Sequence, residues 1–259
     1  MIFSYYPGCT LRTRAKDLDV YARKCALALG VELVEPKDWQ CCGVVYPLAG
    51  DEIAHRLSAV RVLQDAQSRS VSVLTVCSAC HNVLKQCAYD LKNDADFRNK
   101  ANAYSEFDIP VTGEVDVVHY LEMLRDTVGF DTIKQKVVNP LTGKKIGAYY
   151  GCLLLRPGKK MGFDDPENPA IIEEFIKALG AEPVIYPYRN ECCGGYVTLE
   201  NKPLAQKKSQ TVLESAKEMG AECVITACPL CLYNLKKNGG DTLPVYYFTE
   251  LLAEALGVK

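Results

Sequence analysis

The sequence predicts an α/β protein of two tandem homologous domains, each a Rossmann-like parallel sheet, related by a pseudo-twofold. Three observations predict it. Cys41, Cys42, Cys77 and Cys80 map onto Cys192, Cys193, Cys228 and Cys231 at one constant offset of 151 residues, a register that chance does not produce. Within each copy, short apolar runs alternate with amphipathic stretches, the pattern of βαβ units. A chain of 259 residues, 48% hydrophobic and 24% charged, is also long enough to bury a substantial core, which excludes a disordered protein.

The elements follow in order. IFSYY opens the first half as a strand that ends at Gly8 and Cys9, and KIGAYY opens the second, ending at Gly151 and Cys152. These two cysteines are 143 residues apart, so the second copy carries 8 extra residues, placed in RPGKKMGFDDPENP. A helix comes next. Leu18, Tyr21, Ala22, Cys25 and Leu29 recur at helical spacing before Gly30, as do Ile171, Ile172, Phe175, Ile176 and Leu179 before Gly180. VELVE and AEPVIY are second strands that lead into CCG. Longer helices are predicted over 48–69 and 203–219, and a third strand, VSVLTV or AECVITA, delivers CxxC at its carboxyl end. Beyond it DVVHYLEMLRDTVG resembles PVYYFTELLAEALG at an offset of 128, so the first half has 23 extra residues, placed around 93–113. The boundary falls at Asn139-Pro140, giving domains 1–139 and 140–259. All five cysteines of each half then lie beyond strand ends, where open α/β sheets place ligands.

Thirty basic and 32 acidic residues give a net charge of −2 with no long run of either sign, so no nucleic-acid-binding surface is predicted. No apolar stretch reaches the roughly 18 residues of a membrane span, and MIFSYYPGCT lacks the regions of a signal peptide. The expectation is a soluble, cytoplasmic chain. Thirteen cysteines in such a chain, an odd number without a secretion signal, point to metal or redox chemistry rather than a disulfide framework.

In a CxxC at the start of a helix, both sulfurs can face one centre while free amides of the first turn point the same way, and Pro229 suits a first helical position. Adjacent cysteines diverge in a strand, so CCG is expected to turn, with Gly43 or Gly194 supplying the backbone freedom. A structural zinc takes four ligands and so does a cubane iron-sulfur cluster. Five thiols per half leave two readings: an unusual cluster, or a cubane with one structural cysteine. Cys25, Cys87 and Cys223 sit on predicted core positions and are read as packing, as are most of the tyrosines.

FSYYPGCT, PKDWQCCG, CSAC, YYGCLLLRP, FDDPENP, NECCGG and ACPLC resemble the twin cysteine-rich CCG domains of the B subunit of heterodisulfide reductase, over nearly the whole chain. The resemblance implies that Cys9, Cys41, Cys42, Cys77 and Cys80 hold one non-cubane [4Fe-4S] cluster, and Cys152, Cys192, Cys193, Cys228 and Cys231 a second. It further implies a substrate, the coenzyme M and coenzyme B disulfide of methanogenesis, cleaved with one electron from each cluster. Electrons would arrive from a flavin-bearing A subunit through a ferredoxin-like C subunit. The chain has no GxGxxG fingerprint, so no flavin or nicotinamide is expected on it, and no second CxxCxxC set for ordinary clusters, so it is not expected to be the fused membrane-type subunit.

Two further assignments concern the substrate. Arg12, Arg14 and Lys16 follow Cys9, and Arg156, Lys159 and Lys160 follow Cys152, so they are read either as a site for an anionic disulfide or as solvated loop cations that offset a negative cluster. His81, after Cys80, is either a polar helix position or a proton donor to a product thiolate; Leu232 replaces it in the other copy. Two other functions stay open: an electron-transfer component of a lactate, glycolate or thiol:fumarate system, and a zinc-stabilised interaction module.

Overall fold

The structure is a computed structural model that describes residues 1–44, 53–104 and 109–259. Its first half contains β1 (Ile2–Tyr6), α1 (Cys9–Thr13), α2 (Lys16–Ala28), β2 (Glu32–Val34), α3 (Leu57–Ser68), β3 (Val73–Thr75) and α4 (Ser78–Asn93). It continues through α5 (Ala95–Ala103), β4 (Val117–His119), α6 (Tyr120–Glu122), which runs on as a π-helical turn, and α7 (Phe130–Lys136). The second half repeats the order with β5 (Lys145–Tyr149), α8 (Gly158–Met161), α9 (Ile171–Ala178), β6 (Glu182–Val184), α10 (Lys202–Glu218), β7 (Cys223–Thr226), α11 (Pro229–Asn238), β8 (Val245–Tyr247) and α12 (Phe248–Ala255).

Both sheets are fully parallel and have the same order, β2-β1-β3-β4 and β6-β5-β7-β8. The central strands β1 and β5 are buried after their first residue, as strands covered by helices on both faces must be. Among the described residues each half has four strands where the sequence predicts three. The missed pair, β4 and β8, is only three residues long and lies within the segment that repeats at an offset of 128. The extra segment of the first half contains α5, whose N-cap Asp94 accepts from the amides of Asp96 and Phe97. The predicted helix over 48–69 begins on residues outside those described; within them, a 3₁₀ turn (Ala54–Arg56) leads into α3.

The halves exchange packing partners. Helix α2 of the first packs on α12 of the second, while α7 of the first packs on α9 of the second. One continuous core therefore runs through both sheets, with Tyr120 against Phe248 and Phe130 against Phe175 at ring separations of 5.8 and 6.4 Å. Each large side chain that is fully buried there, such as Phe175 and Phe248, contributes roughly 1.5–3 kcal/mol. At the pseudo-twofold the carboxyl ends of β3 and β7 meet. The amide and hydroxyl of Ser78 donate to Ala227 O at 3.1 and 2.8 Å, and the buried Tyr247 hydroxyl lies against Val76 O and Ala227 O.

Gly113 returns the extra segment of the first half to the C-terminal turn of α4. Its φ is +83°, and a Cβ there would stand 2.5 Å from Lys92 N and 2.8 Å from Ala88 O. The usual entropic gain of a Gly→Ala change is then outweighed by left-handed strain and by backbone overlap. Gly113→Ala should destabilise the protein by roughly 1–3 kcal/mol in denaturant melts; an unchanged or raised midpoint would show that this return is not under steric constraint.

Candidate metal and substrate site

Each half presents its cysteines from the same three places. Cys9 begins α1 after β1, Cys41 and Cys42 follow β2, and Cys77 is the N-cap of α4 with Cys80 one turn in. Cys152 follows β5, Cys192 and Cys193 follow β6, and Cys228 is the N-cap of α11 with Cys231 one turn in. Threonines at the strand ends fix the caps alike: Cys77 N donates to Thr75 Oγ1 at 3.4 Å and Cys228 N to Thr226 Oγ1 at 3.3 Å. The unpaired amides of the first helical turns favour negative charge on these sulfurs. Gly43 and Gly194 have φ of +75° and +85°, the turn expected after each cysteine pair.

The sulfurs form a row. Cys41 Sγ is 3.3 Å from Cys9 Sγ, and Cys42 Sγ is 3.5 Å from Cys80 Sγ; Cys193 Sγ is 3.5 Å from Cys231 Sγ. Cys41 also interacts electrostatically with Cys42, Cys80 with Cys77, Cys152 with Cys192 and Cys192 with Cys193. Across the pseudo-twofold Cys77 and Cys228 interact electrostatically, as do Cys228 and Cys231, so the two groups of five are neighbours at the seam.

Protons are divided unevenly along it. Cys42 is pulled far below an ordinary thiol by hydrogen bonds with Cys41 and Cys80, and Cys192 by Cys152 and Cys193, with the amide of Gly194 also donating to it. Hydrogen bonding with Cys41 and burial push Cys9 up, and hydrogen bonding with Cys192 and burial push Cys152 up. Ten neighbouring thiols cannot all ionise unless cations replace the shared protons. Among the described residues, no three His, Cys, Asp or Glu side chains gather to hold a single metal ion. A row of soft thiolate donors fits multi-iron groups better than tetrahedral zinc, which needs four ligands around one point.

Two tyrosines missed in the sequence hold the cysteine pairs in place. Tyr6 donates its hydroxyl to Gln40 O at 2.6 Å, and Tyr149 donates to Glu191 O at 2.7 Å. Each carbonyl belongs to the residue just before the pair. A signal existed: the two tyrosines are separated by the same 143 residues as Cys9 and Cys152. In the second half a further brace comes from FDDPENP. Asn190 Nδ2 donates to Pro166 O, Arg189 Nη2 donates to Asn168 Oδ1, and Asp164 accepts from the amides that start α9.

The basic residues singled out in the sequence take other places. Arg12 pairs with Glu35, which also accepts from Trp39 and Arg23; burial alone would raise Glu35, but these bonds hold it below the usual carboxylate range. Arg156 donates to Asn190 O, Pro166 O and Glu167, tying the loop after Cys152 to the residues before Cys192. Lys160 pairs with Asp90, while Arg14, Lys16 and Lys159 are exposed. His81 is fully buried beside Phe163 and His119, with Nε2 3.2 Å from Glu122 Oε2 but not aligned for a hydrogen bond. Cys25 reaches Thr249 O inside the core, and Cys87 and Cys223 are buried.

A cavity of about 200 Å³ opens against the second group. Cys152, Cys192, Cys193, Cys228 and Cys231 form one side, and Leu153, Tyr196, Leu199, Leu230 and Tyr233 form apolar walls. Thr198 and Asn234 make a polar corner; Thr198 Oγ1 donates to Asn234 Oδ1, and Asn234 Nδ2 to Cys193 O, each at 2.6 Å. Neither His81 nor any of the six basic residues above lines it.

Comparison with known proteins agrees with this duplicated geometry. Residues 3–85 and 146–236 each match the family described as CCG, cysteine-rich domain. The chain is 30% identical to the 8-methylmenaquinol:fumarate reductase membrane anchor subunit of Wolinella succinogenes, covering 99% of this chain and 92% of that protein. It is 27% identical to the B subunit of the ferredoxin/F(420)H(2)-dependent CoB-CoM heterodisulfide reductase of Methanosarcina acetivorans, over 98% and 89%. A crystal structure of a hypothetical protein from Helicobacter pylori shares the fold, with a TM-score of 0.76 at 10% identity over 100% of this chain and 49% of that one.

Tyr149→Phe leaves Glu191 O without its partner and should lower stability by about 0.5–1.5 kcal/mol. Tyr6→Phe should do the same in the other half, and because the sites are distinct the two losses should add. Calorimetry of the single and double variants checks this; no change in melting temperature would remove the tyrosines as clamps of the cysteine pairs.

Proposed function

The chain belongs to the CCG cysteine-rich domain family, whose domain it carries twice, and on that footing we propose that it is the substrate-facing, electron-transferring subunit of a multi-subunit oxidoreductase. Cys9, Cys41, Cys42, Cys77 and Cys80 hold one non-cubane [4Fe-4S] cluster, and Cys152, Cys192, Cys193, Cys228 and Cys231 hold the second. The observation that carries this reading is the single row of ten thiols across the pseudo-twofold. When bound, such clusters supply electrons one at a time, and a pair of them matches a two-electron substrate.

The chain's own residues set the conditions. Tyr6 and Tyr149 hold the cysteine pairs, the amides of α4 and α11 favour thiolate, and the apolar walls exclude water from a substrate beside Cys192 and Cys193. The first reading of that substrate is a disulfide, as in the reductase named for the Methanosarcina relative. Two electrons cleave it to two thiolates, so no general base is needed. Arg12 and Arg156 act here as clamps of the loops around each group, given their ion pairs with Glu35 and Glu167.

A second reading has its own support. Apolar walls with one polar corner suit an uncharged ring bearing a carbonyl better than a polyanionic disulfide, and the Wolinella relative is named for a quinol. In either case a partner must carry electrons to or from the chain; a ferredoxin-like subunit linked to a flavin-bearing one is the arrangement we propose.

The experiment starts from the anaerobically purified complex, reduced with dithionite. Reoxidation of its clusters, followed by electron paramagnetic resonance, is expected with CoM-S-S-CoB or another disulfide on the first reading, and with a soluble menaquinone analogue on the second. Reoxidation by neither would refute the substrate-facing role.

A further inference from the structure

Among the described residues the mouth of the cavity carries an exposed apolar lip, in which Tyr196 donates its hydroxyl to Val44 O at 3.1 Å. Leu199 is fully exposed, and Tyr196 and Tyr233, which share the cavity wall with it, are exposed by about half. Leu204, in the first turn of α10, is exposed as well. A grouped apolar surface of this kind at the entrance to a site marks contact with something outside the chain.

The surrounding charge indicates what that is. Lys202 follows three residues after Leu199. Lys208 passes beside Gly194, where an added Cβ would meet its side chain at 3.3 Å. Lys237 donates to the Tyr233 hydroxyl at 2.8 Å. Lys207 and Lys236 are exposed next to them in sequence. Among the described residues Lys202, Lys207, Lys236 and Lys237 have no acidic partner, while the charge of Lys208 acts on Cys192; Glu200 is the acidic residue between Leu199 and Lys202. Protein interfaces are depleted in lysine, whereas a leucine tip with tyrosines at its base and exposed lysines on the adjoining helices α10 and α11 is the composition of a surface that sits at the headgroup level of an anionic bilayer.

We propose that this lip is a docking surface for an anionic lipid membrane, with Leu199 entering the acyl boundary, Tyr196 and Tyr233 at the interface and the lysines on the headgroups. Among the described residues no helix is long and apolar enough to cross a membrane, so the contact is peripheral. It brings the cavity mouth to the lipid, the route by which an apolar molecule would enter without crossing water. The inference rests on the position of the cavity and on neither substrate reading, and its test measures binding rather than turnover.

The test uses the full chain, anaerobically loaded, with vesicles of phosphatidylcholine with and without phosphatidylglycerol. Flotation should show binding only with phosphatidylglycerol, weakened by salt. Lys202→Gln with Lys237→Gln should reduce vesicle affinity on the order of 10- to 30-fold. Leu199→Glu should abolish binding, while Leu27→Glu, at an exposed apolar position of α2 in the first half, should leave it unchanged. Each substituted side chain is exposed, so folding is retained and circular dichroism confirms it. Failure to bind, or binding indifferent to phosphatidylglycerol and to these variants, overturns the proposal. So does normal vesicle binding by variants that have lost their partner subunits, which would make the lip a protein interface.

Discussion

Ten thiols gathered along a single seam, with sulfurs as close as 3.3 to 3.5 Å, set the terms for the rest of this fold. Such a row repels itself once ionised, so it persists only if the backbone carrying it is fixed and cations can take the place of the shared protons. The fixing is visible at every approach to the row. Thr75 and Thr226 set the helix caps, Tyr6 and Tyr149 anchor the cysteine pairs, and Ser78 and Tyr247 join the ends of β3 and β7. Tyr247 lies against the carbonyls just before Cys77 and Cys228, making it a pin at the pseudo-twofold itself.

That seam explains why the two copies do not behave as separate units. Because α2 packs on α12 and α9 on α7, burial of the central aromatic residues requires both halves at once. The duplication is then broken where function needs it to be. The FDDPENP brace occurs only in the second half, and so does the polar network of Asn234, Ser209 and Thr198 behind Cys193; Val83 stands where symmetry would put Asn234. The cavity opens beside that reinforced half.

The cysteine register was legible because it depends on residue identity and spacing alone. The βαβ order was legible because buried strands and amphipathic helices have different periods. The fourth strands were not: three residues carry too little pattern, and their strand state comes from pairing with β3 and β7. The ion pairs of Arg12 and Lys160 were not legible because their partners lie elsewhere in the chain; Glu35 is 23 residues from Arg12, and Asp90 is 70 from Lys160. The cavity was equally hidden, since Leu153, Tyr196, Leu230 and Tyr233 come from separate segments that only the folded sheet edge brings together.

The central claim is that the row is two five-cysteine centres, one per copy, meeting at the pseudo-twofold. Mössbauer spectroscopy with iron and sulfide analysis of the anaerobically isolated chain, alongside Cys42→Ser and Cys193→Ser, tests it most directly. The account predicts about eight iron and eight sulfide in the unaltered chain and loss of one spectral set in each variant, a different set in each. Zinc as the sole metal, four-cysteine cubane spectra, or loss of both sets from one substitution would contradict it.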